Sequence, residues 1–210
     1  MPGEFYDLLG KITGYGIELG DQISTVHYNE EMPATAGLKI SRNNNKVSIY
    51  GNPLERSLSV EYRFRISNHL SVTREEVEDQ AEQTNTGLPS GRTQIETSLR
   101  RQKLQRIADE DISNAVEEGE RKIQDVESSI NWLTFSEDDP DLWDGFTAVA
   151  RLYPYQPDFG MEDYNTTVKQ VIRDGVPVAQ AIYQELEELG EEAIPDVSDS
   201  GEQRHDRTYQ

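Results

Sequence analysis

The chain contains no cysteine, so disulfide bonds, thiolate nucleophiles and cysteine-based zinc sites are excluded. Histidine is almost as scarce: only His27, His69 and His205 occur, and no two of them have a metal-ligand spacing. We therefore predict no metal site. The glycine-rich phosphate loop, the dinucleotide-binding motif and the nucleophile elbow are also missing, so the sequence predicts no cofactor.

Basic residues are few: the chain has 20 Lys+Arg and 40 Asp+Glu, which gives a net charge of −20 over 210 residues. Such a chain repels itself in dilute buffer, whereas molar salt shortens the screening length to about 3 Å and removes most of that repulsion. The composition is typical of proteins from salt-accumulating microbes such as halophilic archaea. It also disfavours duplex nucleic acid as a partner, because phosphate binding needs a basic field.

Long apolar runs are missing as well. No stretch approaches the roughly 18 apolar residues of a membrane span, and the first ten residues lack the basic and apolar segments of a secretory signal. We therefore expect a cytoplasmic protein without membrane contact. Leu, Ile, Val and Phe make up about 22% of the chain, close to the composition of disordered proteins. Because these residues are periodic, we predict a folded globule.

The first half of the chain alternates between helical and extended patterns. Residues 4–12 place apolar side chains on one helical face before several glycines, and residues 21–28 look extended. Residues 38–41 and 46–50 flank three asparagines, which tolerate a positive φ and predict a hairpin turn. Residues 57–67 alternate apolar with polar side chains, which predicts a strand with its charged face in water.

Helical patterns dominate from Thr73, which forms a capping box with Glu76 at the start of a short polar helix. Residues 92–101 fit either a strand or a helix. The clearest helical pattern covers residues 109–133, where apolar or small residues recur at alternating steps of four and three. These seam residues are Ile112, Val116, Gly119, Ile123, Val126, Ile130 and Leu133. Such a seam packs on the protein's own core, on a second copy or on a partner helix.

The remaining segment is predicted to be helical. Asp139 followed by Pro140 is a helix-start signal, Asp174 and Gly175 are expected to end a helix over residues 161–173, and Pro177 is expected to begin the last helix.

These elements predict an α+β fold: an N-terminal antiparallel meander sheet with a long helix, then a small helical C-terminal part. The predicted division is an α+β domain over residues 1–134, a helical extension packed on it over 135–190, and a disordered acidic and polar tail over 191–210.

Several side chains are candidates for partner binding. Residues 92–106 hold five basic residues against the single acid Glu96, which favours an internal counter-charge or a docking strip for an acidic partner or a phosphate backbone. The two tryptophans belong to an aromatic cluster that either ends the helical core or forms a recognition pocket. The possible partner-binding residues are Arg63, Arg65, Arg92, Arg100, Arg101, Lys103, Arg106, Ile123, Val126, Ile130, Trp132 and Trp143.

The acidic cluster at residues 137–144 does not match a calcium-binding loop, and we interpret it as a helix cap and solvated surface. Asp158, Glu162 and Asp163 have a spacing similar to that of metal-dependent nucleases but lack the Glu-x-Lys on a following strand, and we interpret the spacing as chance in so acidic a chain. An enzyme of unrecognised type stays an alternative. It predicts a cleft in which Asp158 or Glu162 meets His27 or His69.

The predicted order of a meander over residues 38–66, a helix from Thr73, a possible strand from Thr93 and a long helix ending at Leu133 resembles the fold of type III secretion chaperones and the related YbjN-type proteins. The resemblance covers residues 4–133 and is one of element order alone. It implies a non-enzymatic protein that binds other polypeptides, often as a dimer.

From the sequence we therefore expect a protein-binding adaptor or chaperone-like protein of a halophilic microbe, with a protein partner or a second copy as its contact. A structural or assembly protein of a halophile virus or mobile element is the alternative.

Overall fold

A six-stranded antiparallel sheet organises the protein, in the spatial order β1-β2-β3-β4-β6-β5. The computed structural model describes residues 2–28, 36–52, 54–84, 91–107, 109–123 and 126–186. The strands are β1 Gln22–Tyr28, β2 Ala36–Arg42, β3 Asn45–Gly51, β4 Leu58–Arg65, β5 Ser129–Ser136 and β6 Asp139–Leu152. The helices are α1 Pro2–Glu18, α2 Arg74–Thr84, α3 Arg92–Leu104, α4 Asp109–Ile123 and α5 Met161–Glu185. The predicted α+β class is confirmed.

The first four strands and the first two helices follow the sequence prediction closely. The β2–β3 turn places Asn43 and Asn44 at positive φ values of 49° and 61°, as asparagines allow. At the start of α2, Glu76 Oε2 accepts from the Thr73 backbone N–H, and Thr73 Oγ1 accepts from that of Glu76. α1 runs on through Gly14 and Gly16, which were expected to end it, and stops at Glu18, before Gly20 with its φ of 81°. The ambiguous residues 92–101 are helical and belong to α3.

The long helix predicted over residues 109–133 is wrong in its last part. Residues 129–136 form β5 instead, and Ile130 and Trp132 alternate there with the exposed Ser129 and Asn131. Only Ile130 and Leu133 of the seam fall in β5, where their spacing of three places them on opposite faces of the sheet, so the last part of the seam was too short to separate a helix from a strand.

The helix predicted from Asp139 is also wrong, because β6 begins there and pairs with β4 from Leu58↔Leu152 to Arg65↔Gly145. The predicted division after residue 134 lies inside β5. The segment that was expected to be a helical extension supplies β6, which lies between β4 and β5.

The predicted break at Asp174 and Gly175 is wrong, since α5 is one helix that includes Pro177. Both residues have tertiary partners. Asp174 Oδ2 accepts hydrogen bonds from the backbone N–H and the hydroxyl of Ser128, at 2.9 and 2.7 Å. Gly175 lies against the ring of Tyr62, where a side chain would not fit. These contacts stabilise α5 at Asp174 and Gly175, where the sequence pattern predicted that a helix ends.

The main core lies between one face of the sheet and helices α1, α4 and α5. A smaller core joins α2 to α3 through Val77, Ala81, Ile95 and Leu99. No described helix packs on the opposite face of the sheet. That face is called the open face below.

Two predictions concern residues outside the described ranges: the tail at 191–210 and the site of His205. The side chain of His27 is not described either. None of the described helices combines the length with the hydropathy that crossing a lipid bilayer requires.

Candidate interaction surface

The open face is built by the alternate residues of four neighbouring strands. Cross-strand pairing aligns Lys39 with Ser48, Ser48 with Glu61, and Glu61 with Val149. Because side chains alternate along a strand, residues two positions away share this face. Its charged members are Lys39, Lys46, Glu61, Arg63, Arg65 and Arg151. The face is therefore basic in a chain whose net charge is −20.

Glu61 is the one acid among these residues, and it is only 4% exposed. Its carboxylate accepts hydrogen bonds from the Tyr50 hydroxyl at 2.7 Å and from Arg63 Nε at 2.6 Å. Burial, followed by the hydrogen bond to Glu61, raises the pKa of Tyr50 to about 12. The expectation that all charged residues of β4 face water is therefore wrong for Glu61, whose charge is enclosed by its neighbours.

The cations of the open face keep much of their surface free. The Arg63 side chain is 53% exposed despite its bond to Glu61, and that of Arg151 is 51% exposed. Arg151 donates to the Ser59 hydroxyl at 3.0 Å, and its nearest acid, Glu55, is 4.0 Å away. Lys39 and Lys46 are exposed and have no acidic partner among the described residues. The open face therefore presents two exposed lysines and two half-exposed guanidinium groups to a ligand.

Arg65 lies at the end of β4 and is more constrained. It donates to Asp144 Oδ2 at 2.9 Å and to the Phe135 carbonyl oxygen at 3.1 Å. The buried Asp144 also accepts from the backbone N–H and the hydroxyl of Ser67. Burial raises the pKa of Asp144 above its ordinary value, although these hydrogen bonds act in the opposite direction. Arg65 therefore helps to hold β4 to β6.

The basic residues of α3 mostly neutralise acids of the protein itself. Arg92 pairs with Glu96 at 2.7 Å, Arg101 with Asp139 at 2.5 Å, and Lys103 with Glu76 at 2.7 Å. Of the other two predicted residues, Arg100 has a buried Nε without a hydrogen-bond partner in the described structure, and Arg106 is exposed just after the helix. This arrangement agrees with the counter-charge interpretation of residues 92–106.

The predicted seam is divided between two elements. Gly119 of α4 lies against α5, where an added Cβ would be 3.5 Å from Val178 and 3.6 Å from Ile182. Val126 follows α4, and Ile130 lies on β5. Half-buried Ile123 and Ile130 both pack against the main core, so this part of the seam serves the fold.

The two tryptophans lie beside that seam. Trp132 of β5 and Trp143 of β6 are in edge-to-face contact, with ring centroids 5.8 Å apart. The buried Nε1 of Trp143 has no hydrogen-bond partner among the residues that the structure describes. Both rings pack against the main core, as the core interpretation of the aromatic cluster expects.

Two of the residues considered for catalysis, His69 and Glu162, lie far apart. His69 contacts Tyr183 near the end of α5, whereas Glu162 lies 21 residues earlier in the same helix, about 31 Å away. Asp163 accepts a hydrogen bond from the Gly160 backbone N–H at 2.8 Å and so caps α5. Within the described ranges, no group of three or more His, Asp or Glu side chains is arranged to hold a metal ion.

Sequence reasoning found Arg63 and Arg65 but missed Lys39, Lys46 and Arg151. The two lysines occupy polar positions beside the predicted hairpin turn, so alternation contained a signal for them. Arg151 lies in a segment that was predicted to end a helix, and only the pairing of β6 with β4 brings it to the open face.

Comparisons with known proteins do not extend this description. No family model, curated protein or solved structure matches the chain, so the resemblance to type III secretion chaperones stays a prediction.

Proposed function

We propose that this protein is a non-enzymatic adaptor of the cytoplasm of a salt-accumulating microbe, and that it binds an acidic polypeptide through the open face of its sheet. The observation that supports this proposal is the excess of cations on that face. Lys39, Lys46, Arg63 and Arg151 are exposed there in a chain with twice as many acids as bases. Exposed cations grouped on an uncovered sheet favour an anionic partner.

The partner's anions are proposed to be carboxylates. In molar salt, screening over about 3 Å leaves only direct contacts, so recognition depends on hydrogen-bonded ion pairs. The guanidinium groups of Arg63 and Arg151 suit carboxylates, which accept two parallel hydrogen bonds from arginine. Nucleic-acid bases find little to stack on, because Tyr50 is the one aromatic residue at the described positions of the face and Glu61 holds its hydroxyl.

A charge-reversal experiment tests this surface. A fluorescent poly-glutamate peptide is titrated with the full chain, and binding is followed by anisotropy at moderate and molar KCl. Lys39→Glu/Lys46→Glu is expected to weaken binding by about tenfold or more. Lys122→Glu/Lys169→Glu, which makes the same charge change at exposed positions of α4 and α5, is the matched control and should bind as the wild type does.

A single-stranded DNA oligonucleotide of matched charge is the second probe. Tighter binding of the oligonucleotide than of the peptide would contradict the proposed partner class. Equal loss of peptide binding in both double variants would show that net charge, and not the open face, controls the interaction. Affinity purification from lysate at high salt with wild type and Lys39→Glu/Lys46→Glu then identifies the partners that depend on this face.

A further inference from the structure

The outer edge of β5 is the second unusual surface of the molecule. β5 pairs with β6 on one side, and no described strand pairs with its other side. The run from residue 128 to residue 136 contains neither a charged residue nor proline, although 29% of the chain is charged. Glu127 and Glu137 bound this run on either side. An uncharged strand edge therefore interrupts a densely charged surface.

Edge strands expose unpaired backbone N–H and C=O groups, and proteins usually protect them with lysine, proline or a bulge. β1, at the other edge of the sheet, has a register shift between Ser24 and His27. The first bulge between β5 and β6 lies on β6. Leu133 pairs with Gly145 and Thr134 pairs with Trp143, so Asp144 of β6 has no opposite residue on β5. β5 therefore stays regular from Ser129 to Thr134 and is available for further pairing.

We propose that the β5 edges of two copies of this chain pair antiparallel and form a homodimer with one continuous sheet. Directly opposite residues of two antiparallel strands point to the same face of the sheet, and side chains alternate between faces along each strand. The core faces of the two copies therefore lie on the same side of the joined sheet only when the twofold axis passes through a residue and not between two residues. The uncharged run is centred on Trp132. Pairing about Trp132 places Asn131 opposite the partner's Leu133, and every position from 128 to 136 then faces an uncharged residue.

Because the uncharged run is symmetric about Trp132, the partner that we propose for the β5 edge is a second copy of the chain and not an unrelated strand. The same register opposes Glu127 to the partner's Glu137, so like charges meet only at the two ends. Each copy also has a net charge of −20, and the two repel each other at low salt. The dimer is therefore expected to strengthen as KCl rises. The twofold axis lies perpendicular to the joined sheet, so both open faces point the same way.

The test is the oligomeric state of the full chain in molar KCl, measured by sedimentation and by light scattering after size exclusion. The wild type is expected to be a dimer that dissociates on dilution. Asn131→Lys/Leu133→Lys places lysines opposite each other across the proposed contact and should be monomeric, as should Asn131→Glu/Leu133→Glu. Mixing the two variants should restore a dimer, because lysine then faces glutamate.

Asn114→Lys/Thr166→Lys is the matched control, since it adds the same charge at exposed positions of α4 and α5 and should leave the dimer intact. A wild type that is monomeric at submillimolar concentration in molar KCl would overturn the proposal, as would a folded Asn131→Lys/Leu133→Lys variant that stays dimeric. If these variants do not fold, hydrogen exchange of the wild type decides. Backbone amides of residues 129–136 should gain protection as the protein concentration rises, and unchanged exchange there contradicts the pairing.

Discussion

Arg42 of β2 and Asp21, which precedes β1, form a bidentate ion pair with nitrogen–oxygen distances of 2.6 and 2.7 Å. The Asp21 side chain is 1% exposed and that of Arg42 is 12% exposed. Tyr164 of α5 donates its hydroxyl to Asp21 at 2.6 Å, and Arg42 also donates to Asn165 at 2.8 Å. Burial and this contact with Asp21 raise the pKa of Tyr164. One buried carboxylate thus joins the start of the sheet to α5.

Removing the cation of this pair should be costly. Arg42→Met leaves the Asp21 carboxylate buried, with Tyr164 as its one remaining side-chain partner among the described residues, and we expect a loss of about 3–5 kcal/mol in the free energy of unfolding. Asp21→Asn/Arg42→Met removes both charges and should lose much less. Urea unfolding in molar KCl measures both values. Similar losses in the two variants would show that the charges are not energetically coupled.

Close packing of Gly175 against Tyr62 predicts a large effect of one methyl group. A Cβ at Gly175 would lie 2.3 Å from Tyr62 Cδ1, so Gly175→Ala should lower the free energy of unfolding by about 1–3 kcal/mol through overpacking. Gly14→Ala is the control within a helix, because no atom lies within 4 Å of its added Cβ. It should stabilise the protein by about 0.5–1 kcal/mol. Thermal unfolding compares the two, and a neutral Gly175→Ala would contradict the contact.

His69 predicts a specific pH dependence of stability. Its ring stacks on Phe64 with centroids 5.1 Å apart and meets Tyr183 of α5 edge-on at the same distance. Burial lowers the pKa of His69, and the charge of Lys46 lowers it further. The folded state therefore favours the neutral ring, whereas the unfolded chain takes up a proton near about pH 6.5.

Stability contributed by His69 should thus be present above about pH 6.5 and should be lost as the pH falls toward the lowered pKa of the folded state. Chemical unfolding of wild type and His69→Phe between about pH 7.5 and about pH 5.5 measures this effect. The variant should show a flatter profile. An equal slope in both proteins would assign the pH dependence to other groups.

The charge excess predicts that the fold depends on salt. Lowering KCl from molar to tens of millimolar restores repulsion among 40 acidic residues, so circular dichroism should show loss of structure and a lower melting temperature. Sucrose at matched water activity is the control, because it does not screen charge. A melting temperature that is independent of KCl would contradict the assignment to a salt-accumulating microbe.

Signals that act within a few residues predicted their parts of the fold correctly. The asparagines at 43 and 44 adopt the positive φ that their turn requires, and Thr73 caps α2 through Glu76 as its spacing indicates. The alternation in β4 placed Arg63 on the correct face of the sheet. Each of these outcomes depends on backbone conformation or on side-chain alternation, which neighbouring residues fix.

Chain-distant contacts decided the rest. β5 and β6 take the place of helices because β6 pairs with β5 on one side and with the chain-distant β4 on the other, from Leu58↔Leu152 to Arg65↔Gly145. α5 continues through Gly175 because that residue lies against Tyr62, which no local pattern reveals. The sequence by itself therefore determined the charge and the locally coded elements. The tertiary structure alone decided which face of the sheet stays open and which strand ends at an edge, because both depend on pairing between segments far apart in the chain.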